Sequence, residues 1–258
     1  MRNVPLAEWT WRVNGKESVH CAPVTEVGIV VVEPVNAYLC PTYMQIIDEK
    51  VAHIVPTLQR YRGLGLTVLF ALPPVYVKAY YDQHIQRPGT RITHAEGEAI
   101  RDVGRLVLPP YPWKYDHGHC SCNQNLPICR PSEAGTSEYL HPMIQLGARD
   151  LIVQNHYELY TYCVGRGIKY LFYIGFSVDQ CILHRTYGVC YLIKLGLTCA
   201  VIRDLVGHHI TDKRFSDEDG RNDIEQGLAA IVGYIEQHVG PTLLSHQVYL
   251  QGGSGHGV

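Results

Sequence analysis

The stretch Tyr170-Leu-Phe-Tyr-Ile-Gly-Phe-Ser-Val-Asp-Gln-Cys181 decides how this chain folds. Its first five residues form a continuous apolar run, which is typical of a strand buried on both faces of a parallel sheet. The run breaks at Gly175, and Ser177 and Asp179 are residue types that cap helices. Cys181 then falls in the first turn of the predicted helix, where free backbone N–H groups favour a thiolate and can bind an oxyanion. The stretch therefore predicts a strand, a tight turn and a reactive cysteine.

Along the rest of the chain, predicted strands alternate with predicted helices. Continuous apolar runs indicate buried strands over 26–33, 66–72, 151–154, 169–174 and 197–204. Apolar residues at helical spacing indicate helices over 44–62, 157–166 and 223–238, and one more from Cys181 to Gly196. Such alternation forms βαβ units, whose strands pair in parallel through right-handed crossovers. The sequence therefore predicts an α/β fold: one three-layer α/β/α domain with helices on both faces of a mainly parallel sheet of five or six strands.

The predicted domain covers residues 26–240 and has flanking segments and one long insertion. Residues 1–25 form a predicted N-terminal arm, in which alternating residues surround the hairpin pair Asn14-Gly15. Residues 73–148 hold many prolines and break the alternation, which is typical of an insertion that forms a binding or lid element. Residues 241–258 are a predicted C-terminal tail that ends in a glycine-rich stretch.

Composition argues against several classes of function. The 258 residues carry a net charge of -2 at pH 7, with 18% charged and 46% hydrophobic residues. Basic residues are scattered, so nothing indicates a nucleic acid or an anionic membrane as partner. No apolar run resembles a signal peptide or approaches the roughly 18 residues that span a bilayer. We therefore expect a cytoplasmic protein that acts on a small molecule and keeps most of its nine cysteines reduced.

Polar groups follow three of the predicted strands: Glu33, Gln154 and the segment Ser177–Cys181. In an open parallel sheet the carboxyl ends of the strands lie at one edge, and ligands bind beyond that edge. We therefore expect the side chains of Glu33 and Cys181 to face one cleft. A carboxylate within hydrogen-bond reach of a thiol can accept its proton and activate it as a nucleophile.

The order of these motifs resembles that of the isochorismatase-like cysteine hydrolases, a family that includes nicotinamidases, ureidoacrylate and biuret hydrolases and N-carbamoylsarcosine amidase. The resemblance covers about residues 26–238 apart from the insertion, and Gly-Phe-Ser-Val-Asp-Gln-Cys181 is its most specific part. It implies the family's Rossmann-like fold. It also implies that Glu33, Gln154 and Cys181 stand at the positions of a catalytic Asp, Lys and Cys. We also expect a homo-oligomer.

The resemblance further implies roles for residues around the cysteine. A cis peptide between Phe176 and Ser177 would let the amides of Ser177 and Cys181 form an oxyanion hole. The residues expected to bind substrate are Tyr38, Trp113, His156 and Phe176. His208 and His209 follow the fifth predicted strand and are further candidates to line the pocket.

Two of the three catalytic positions depart from the family's pattern. Glu33 replaces Asp, which keeps the carboxylate but extends it by one methylene. Gln154 replaces Lys, and a neutral amide can orient a carbonyl or a carboxylate but supplies no cation. If the alignment shifts by two residues, His156 falls on the same face of the strand and can supply part of the missing charge. Otherwise His156 caps or hydrogen-bonds the following helix.

The insertion holds a cluster of potential metal ligands: Asp116, His117, His119, Cys120, Cys122 and Cys129. Nicotinamidases bind a metal through an Asp and two His in the corresponding insertion, and His and Cys are ligand types that suit zinc. The Cys-x-Cys spacing is tighter than the Cys-x-x-Cys that is usual for zinc. A zinc site, a disulfide and ordinary loop residues all stay open, and we expect no bound cofactor.

These inferences lead to one predicted function and one alternative. The chain is predicted to be a cysteine-dependent hydrolase, an amidohydrolase that cleaves a small amide, urea or carbamate-type C–N bond through a thioester-like intermediate. Cys181 is the predicted nucleophile, Glu33 the general base and Gln154 a polar orienting group. The alternative is a catalytically silent protein of the same fold that binds a small ligand or a protein partner, which the replacement of Lys by Gln154 favours.

Overall fold

The structure, a computed structural model, describes residues 4–35, 41–73, 99–114, 140–210, 212–215 and 224–251. Its strands are β1 (Leu6–Val13), β2 (Lys16–Pro23), β3 (Val27–Val32), β4 (Thr67–Ala71), β5 (Leu151–Val153), β6 (Tyr170–Gly175), β7 (Thr198–Val206), β8 (Thr242–Leu243) and β9 (Val248–Leu250). Its α-helices are α1 (Pro41–Leu64), α2 (His156–Arg166), α3 (Val189–Lys194) and α4 (Ile224–His238), and a π-helical turn covers Val178–Ile182. None of the helices within these ranges is long and apolar enough to cross a membrane.

The strands of the described ranges form one sheet whose middle is parallel. β8, β7, β6, β3, β4 and β5 lie side by side in that order and pair in parallel. β1 extends this set as the antiparallel partner of β8 and β9, and β2 completes a hairpin with β1 at the edge. The predicted α/β fold with a mainly parallel sheet is confirmed.

Helices cover both faces of the sheet, which is why its central strands are apolar on both sides. Along β3, Ile29 and Val31 belong to the buried cluster that includes residues of α1. Val30 and Val32 belong to a second buried cluster, which includes residues of α2, α3 and α4. All four side chains are fully buried. The three layers that the sequence predicts are therefore present.

The two flanking segments also contribute strands, which the predicted domain boundaries leave out. The turn Asn14-Gly15 has φ angles of 49° and 75°, as the hairpin turns favoured between antiparallel strands require. Nearby, Arg12 Nε donates to Glu236 Oε1 at 2.7 Å and ties the hairpin to α4. β8 and β9 lie within the predicted C-terminal tail. Both pair with strands distant in sequence, and such pairing leaves no local pattern to read.

The helix predicted over 181–196 is interrupted in the structure. The π-helical turn ends at Ile182, and α3 begins at Val189. A Cβ at Gly188 would lie 2.7 Å from the carbonyl oxygen of Ile182, so the loop between the two elements folds tightly against the turn. This break changes the direction of the side chains at 185–187 relative to that in a continuous helix.

The carboxyl ends of β3 and β6 approach too closely for a side chain at Gly175. Val32 pairs with Gly175, whose φ is +113°. A Cβ at Gly175 would lie 2.2 Å from the carbonyl oxygen of Val32, which is much shorter than a van der Waals contact distance. The glycine therefore sets the spacing of the two strands that carry Glu33 and Cys181.

We expect Gly175→Ala to lower the free energy of unfolding by at least about 3 kcal/mol, because the two strands would have to separate. Gly196→Ala is the matched control: its φ is +89°, but a Cβ there would meet no atom within 4 Å. Backbone strain alone should cost the control about 1–2 kcal/mol. Urea unfolding of both variants measures the difference, and equal losses would contradict the steric explanation.

Candidate active site

The buried carboxylate of Glu33 and the thiol of Cys181 are in contact. Glu33 follows β3 and is 3% exposed, and Cys181 lies in the π-helical turn after β6 and is 9% exposed. Cys181 Sγ donates to Glu33 Oε2 at 3.3 Å. Because β3 and β6 are parallel neighbours, both residues emerge at the same edge of the sheet. The structure thus brings together the acid and the thiol that the order of motifs predicts to share one cleft.

Two further donors hold the other oxygen of this carboxylate. Arg185 Nε donates to Glu33 Oε1 at 3.1 Å, and the hydroxyl of Tyr187 donates to the same oxygen. Tyr187 is 2% exposed, whereas the Arg185 side chain is 55% exposed. Glu33 therefore accepts three hydrogen bonds from described residues, and one of the donors is a cation.

Sequence reasoning misses Arg185 and Tyr187 because it predicts one continuous helix after Cys181. In a continuous helix, residues four apart share a face but residues six apart do not, so only one of the two could approach the cysteine. The break before α3 lets both reach Glu33. A glycine inside a helical pattern, here Gly188, is the local signal that could have indicated the break.

Backbone strain concentrates at the same edge of the sheet. Glu33 (φ 45°) and Ser177 (φ 58°) are, with Asn14 of the hairpin turn, the non-glycine residues of the described ranges with positive φ. Such conformations cost of order 1–3 kcal/mol each and occur preferentially at functional sites. Glu33 is held there by its neighbours: its amide donates to Ala71 O at 3.1 Å, and its carbonyl accepts from Val35 N at 2.8 Å.

The peptide bond between Phe176 and Ser177 is trans, so the prediction of a cis bond there is wrong; no described peptide bond is cis. The chain reverses instead through the left-handed conformation of Ser177. The carbonyl oxygen of Ser177 accepts hydrogen bonds from Gln180 N at 2.9 Å and Ile182 N at 3.1 Å. The amides of Ser177 and Cys181 take part in neither of these bonds.

The Cys181 thiol is less acidic than an ordinary thiol. Burial, followed by the charge of Glu33, raises the pKa of Cys181 to about 12, and Arg185 opposes this shift only in part. The expectation of a favoured thiolate at a helix start is therefore wrong. The π-helical turn has five residues, so its dipole is small, whereas desolvation of a thiolate is costly at a buried position.

Gln154 follows β5, which β4 separates from β3. Its amide N–H donates to Glu158 Oε2 at 2.8 Å in the first turn of α2. Among the described residues, none forms a hydrogen bond with the Gln154 side chain. Its predicted role as an orienting group therefore stays a prediction, and the cation of the site comes from a different part of the chain.

Three residues predicted to bind substrate have packing contacts. His156 Nε2 lies 2.8 Å from a backbone carbonyl oxygen of the insertion, and its ring stacks on Tyr191 of α3 at 5.1 Å between centroids. Phe176 is fully buried in the cluster on the α1 side of the sheet. Trp113 is 5% exposed and belongs to the cluster on the opposite side. In the described part of the chain, none of the three hydrogen-bonds Glu33 or Cys181.

His208 and His209 are buried, and His208 Nε2 lies 2.8 Å from the backbone carbonyl oxygen of Ile224. Seven other candidates lie outside the described residues: Tyr38, Asp116, His117, His119, Cys120, Cys122 and Cys129. For the cluster at 116–129, the alternatives of a zinc site, a disulfide and ordinary loop residues therefore all stay open. The five cysteines within the described ranges are all free thiols.

Tyr111 and Trp113 of the insertion lie next to the turn that carries Cys181. The Tyr111 hydroxyl donates to the carbonyl oxygen of Asp179 at 2.7 Å and lies 2.7 Å from His184 Nε2. Trp113 stacks on the Tyr111 ring at 4.6 Å between centroids. From the loop after β7, His209 N donates to Asp179 Oδ1 at 3.0 Å. The insertion and this loop therefore both hold Asp179 of the turn that carries Cys181.

Comparisons with known proteins find structural similarity alone. No protein-family model matches the chain, and no curated protein matches it in sequence. Among solved structures, the chain is similar to an isochorismatase from Pseudomonas putida (13% identity, 87% of this chain and 90% of that chain, TM-score 0.49). It is also similar to an isochorismatase family protein from Burkholderia thailandensis (12% identity, 86% and 93%, TM-score 0.49). A third structure is an N-carbamoylsarcosine amidase from Thermoplasma acidophilum (16% identity, 85% and 96%, TM-score 0.43). Roles for individual residues rest on the geometry of this chain.

Because the charge of Glu33 raises the pKa of the Cys181 thiol, we expect Glu33→Gln to lower that pKa. Alkylation of Cys181 by iodoacetamide at pH 8 should then be at least about threefold faster, since the thiolate fraction rises tenfold for each unit by which the pKa falls while the thiolate becomes a weaker nucleophile. In the wild type the rate should keep rising from pH 8 to pH 11, because the thiol pKa of about 12 lies above that range. Mass spectrometry of the Cys181 peptide measures the rate.

The exposed Cys21 reacts in the same samples and serves as the internal control, because it lies outside the site. Its rate should be the same in the wild type and in Glu33→Gln. A slower reaction of Cys181 in the variant, with Cys21 unchanged, would contradict the contact between Glu33 and the thiol.

Proposed function

We propose that this chain is a cysteine-dependent hydrolase that cleaves a small amide, urea or carbamate-type C–N bond through a covalent thioester-like intermediate. The observation that carries the proposal is the hydrogen bond from Cys181 Sγ to Glu33 Oε2. A thiol in contact with a buried carboxylate, beside a cation, has the parts of an activated nucleophile. The strained backbone at Glu33 and Ser177 supports the same assignment.

The first half of the reaction forms the covalent intermediate. Cys181 Sγ attacks the carbonyl carbon while Glu33 Oε2 accepts the thiol proton, and the carbonyl π electrons move to its oxygen. The amides of Ser177 and Cys181 stay the predicted donors to the resulting oxyanion, without the cis bond that the resemblance implies. Protonated Glu33 then gives its proton to the leaving nitrogen, the C–N bond breaks, and the amine or ammonia departs.

The second half releases the product. Water attacks the thioester carbon while Glu33 Oε2 accepts one of its protons, and a second oxyanion forms in the same place. This oxyanion collapses with rupture of the C–S bond. The Cys181 sulfur leaves as a thiolate and takes the proton back from Glu33, which restores the starting thiol and carboxylate. One carboxylate thus acts in turn as base and acid.

The raised pKa of the thiol agrees with general-base catalysis. With a pKa of about 12, Cys181 rests as a neutral thiol and the carboxylate accepts its hydrogen bond. Proton transfer then accompanies the attack on the carbonyl and does not precede it. Such positioned acid–base groups contribute about 10²–10⁴-fold to a rate.

Arg185 supplies the positive charge that a lysine at position 154 would carry and that Gln154 does not. Its guanidinium pairs with Glu33 at 3.1 Å, beside the thiol that Glu33 contacts. The charge of Arg185 lowers the pKa of Cys181, in opposition to burial and Glu33. The alternative of a silent protein drew its support from the missing cation, and Arg185 weakens that support.

The proposal is tested by a screen of small amides, ureas and carbamates for release of ammonia or amine. We expect turnover by the wild type and none by Cys181→Ala, and a loss of at least about 10²-fold for Glu33→Gln. Arg185→Gln should lose at least about tenfold in kcat/KM, because it removes the charge that opposes the high thiol pKa. Turnover that persists in Cys181→Ala would overturn the proposal.

Arg166→Gln is the matched control for Arg185→Gln. Arg166 is an exposed arginine in the last turn of α2, so its removal tests the loss of a surface cation outside the site. We expect it to retain wild-type kcat/KM. An equal loss in both variants would mean that Arg185 acts through the net charge of the protein.

Gln154→Lys distinguishes the hydrolase from the silent alternative. In a hydrolase whose Gln154 orients a substrate carbonyl, a lysine places a charge where a neutral donor is required, so kcat/KM should fall by about tenfold or more. In a silent protein, the added cation should create turnover where the wild type has none. An unchanged turnover rate and an unchanged Cys181 alkylation rate would place residue 154 outside the site.

A further inference from the structure

The two oxygens of Glu33 have different partners. Oε1 accepts from Arg185 Nε and from the Tyr187 hydroxyl, whereas Oε2 accepts from Cys181 Sγ. A carboxylate that is free to rotate about its terminal bond would present either oxygen to the thiol, because that torsion is broad. Here the two donors on Oε1 fix the plane of the carboxylate.

We propose that Tyr187 is a positioning residue that reserves Glu33 Oε1 and so makes Oε2 the oxygen that exchanges protons with Cys181. The inference rests on the proposed function and deepens it, because it assigns the base to one atom. Tyr187 touches neither the thiol nor the site of attack by any hydrogen bond of the described residues. It acts through Glu33.

Tyr187 suits this role better than Arg185 does. Tyr187 is 2% exposed, and Tyr173 of β6 donates through its hydroxyl to the backbone carbonyl of Tyr187 at 3.0 Å. Burial, and after it the charge of Glu33, raises the pKa of the Tyr187 hydroxyl far above its usual range, so it stays a donor. Arg185 has a 55% exposed side chain and exchanges its hydrogen bonds with water more readily.

The local chain supports the same geometry. Gly188 follows Tyr187, and a Cβ at Gly188 would lie 2.7 Å from the carbonyl oxygen of Ile182. Gly188 N donates to the carbonyl oxygen of Arg185 at 2.7 Å. The loop between the π-helical turn and α3 is therefore closed by short contacts, which hold the Tyr187 backbone in place.

Tyr187→Phe tests the inference because it removes the hydroxyl and keeps the ring. Without that donor, more negative charge remains on Oε2, so the thiolate of Cys181 is less favoured. We expect alkylation of Cys181 at pH 9 to be at least about threefold slower than in the wild type. On a substrate that the screen identifies, kcat should fall by about tenfold with little change in KM.

Tyr61→Phe is the matched control, since it also removes a buried tyrosine hydroxyl. That hydroxyl donates to the carbonyl oxygen of Ser245 at 2.9 Å, away from Glu33. We expect it to change neither the alkylation rate of Cys181 nor kcat. If Tyr187→Phe behaves like this control, the inference is overturned. A Tyr187→Phe protein that does not fold also overturns it, because the hydroxyl would then serve the fold.

A double-mutant cycle shows whether Tyr187 acts through Glu33. In a Glu33→Gln background, Tyr187→Phe should leave the alkylation rate of Cys181 unchanged, and a threefold effect that persists there would contradict the inference. Alkylation needs no substrate, so this result is independent of hydrolysis. A wild type that turns over none of the screened compounds would count against the proposed function, while the alkylation data would still decide the role of Tyr187.

Discussion

The contacts at the carboxyl ends of β3 and β6 depend on one carboxylate, that of Glu33, which is 3% exposed. A buried carboxylate is costly unless hydrogen bonds and a positive charge replace the water that it loses. Glu33 receives both, from Cys181, Arg185 and Tyr187. These three residues come from a short segment after β6, which must therefore fold back onto the end of β3. The left-handed conformation of Ser177 and the interruption before α3 are the two places where this segment changes direction.

The same carboxylate acts on the thiol in two opposing ways. Its charge raises the pKa of Cys181, which makes a resting thiolate unfavourable. Its oxygen Oε2 at the same time accepts the hydrogen bond of the thiol. The two effects are compatible if the proton moves during the attack on the carbonyl, because the carboxylate is then neutral as the sulfur becomes bonded. In the proposed hydrolase, such a site would keep the cysteine weakly reactive until a bound carbonyl is in place.

Much of this fold could be predicted because its determinants are local. The continuous apolar runs identify the buried parallel strands, and the rule that parallel strands end at one edge leads to the contact between Glu33 and Cys181. The roles of Arg185 and Tyr187 could not be found in the same way, because helical periodicity continues across a break that Gly188 alone indicates. The sign of the thiol pKa shift depends on burial, which tertiary packing decides. The places of β8 and β9 depend on pairing with β1 and β7 over long distances in the chain.

The position of the cation in the sequence has a structural consequence. In the family whose motif order this chain resembles, the cation is a lysine on another strand, so packing of the sheet sets its distance from the cysteine. Here Arg185 is four residues from Cys181, and its amide donates to the Cys181 carbonyl at 3.2 Å. One local segment therefore carries both Cys181 and Arg185, and Glu33, which follows the neighbouring strand, is the partner that they share. With the charge supplied within this segment, the end of β5 no longer needs a lysine, and Gln154 is compatible with an active site.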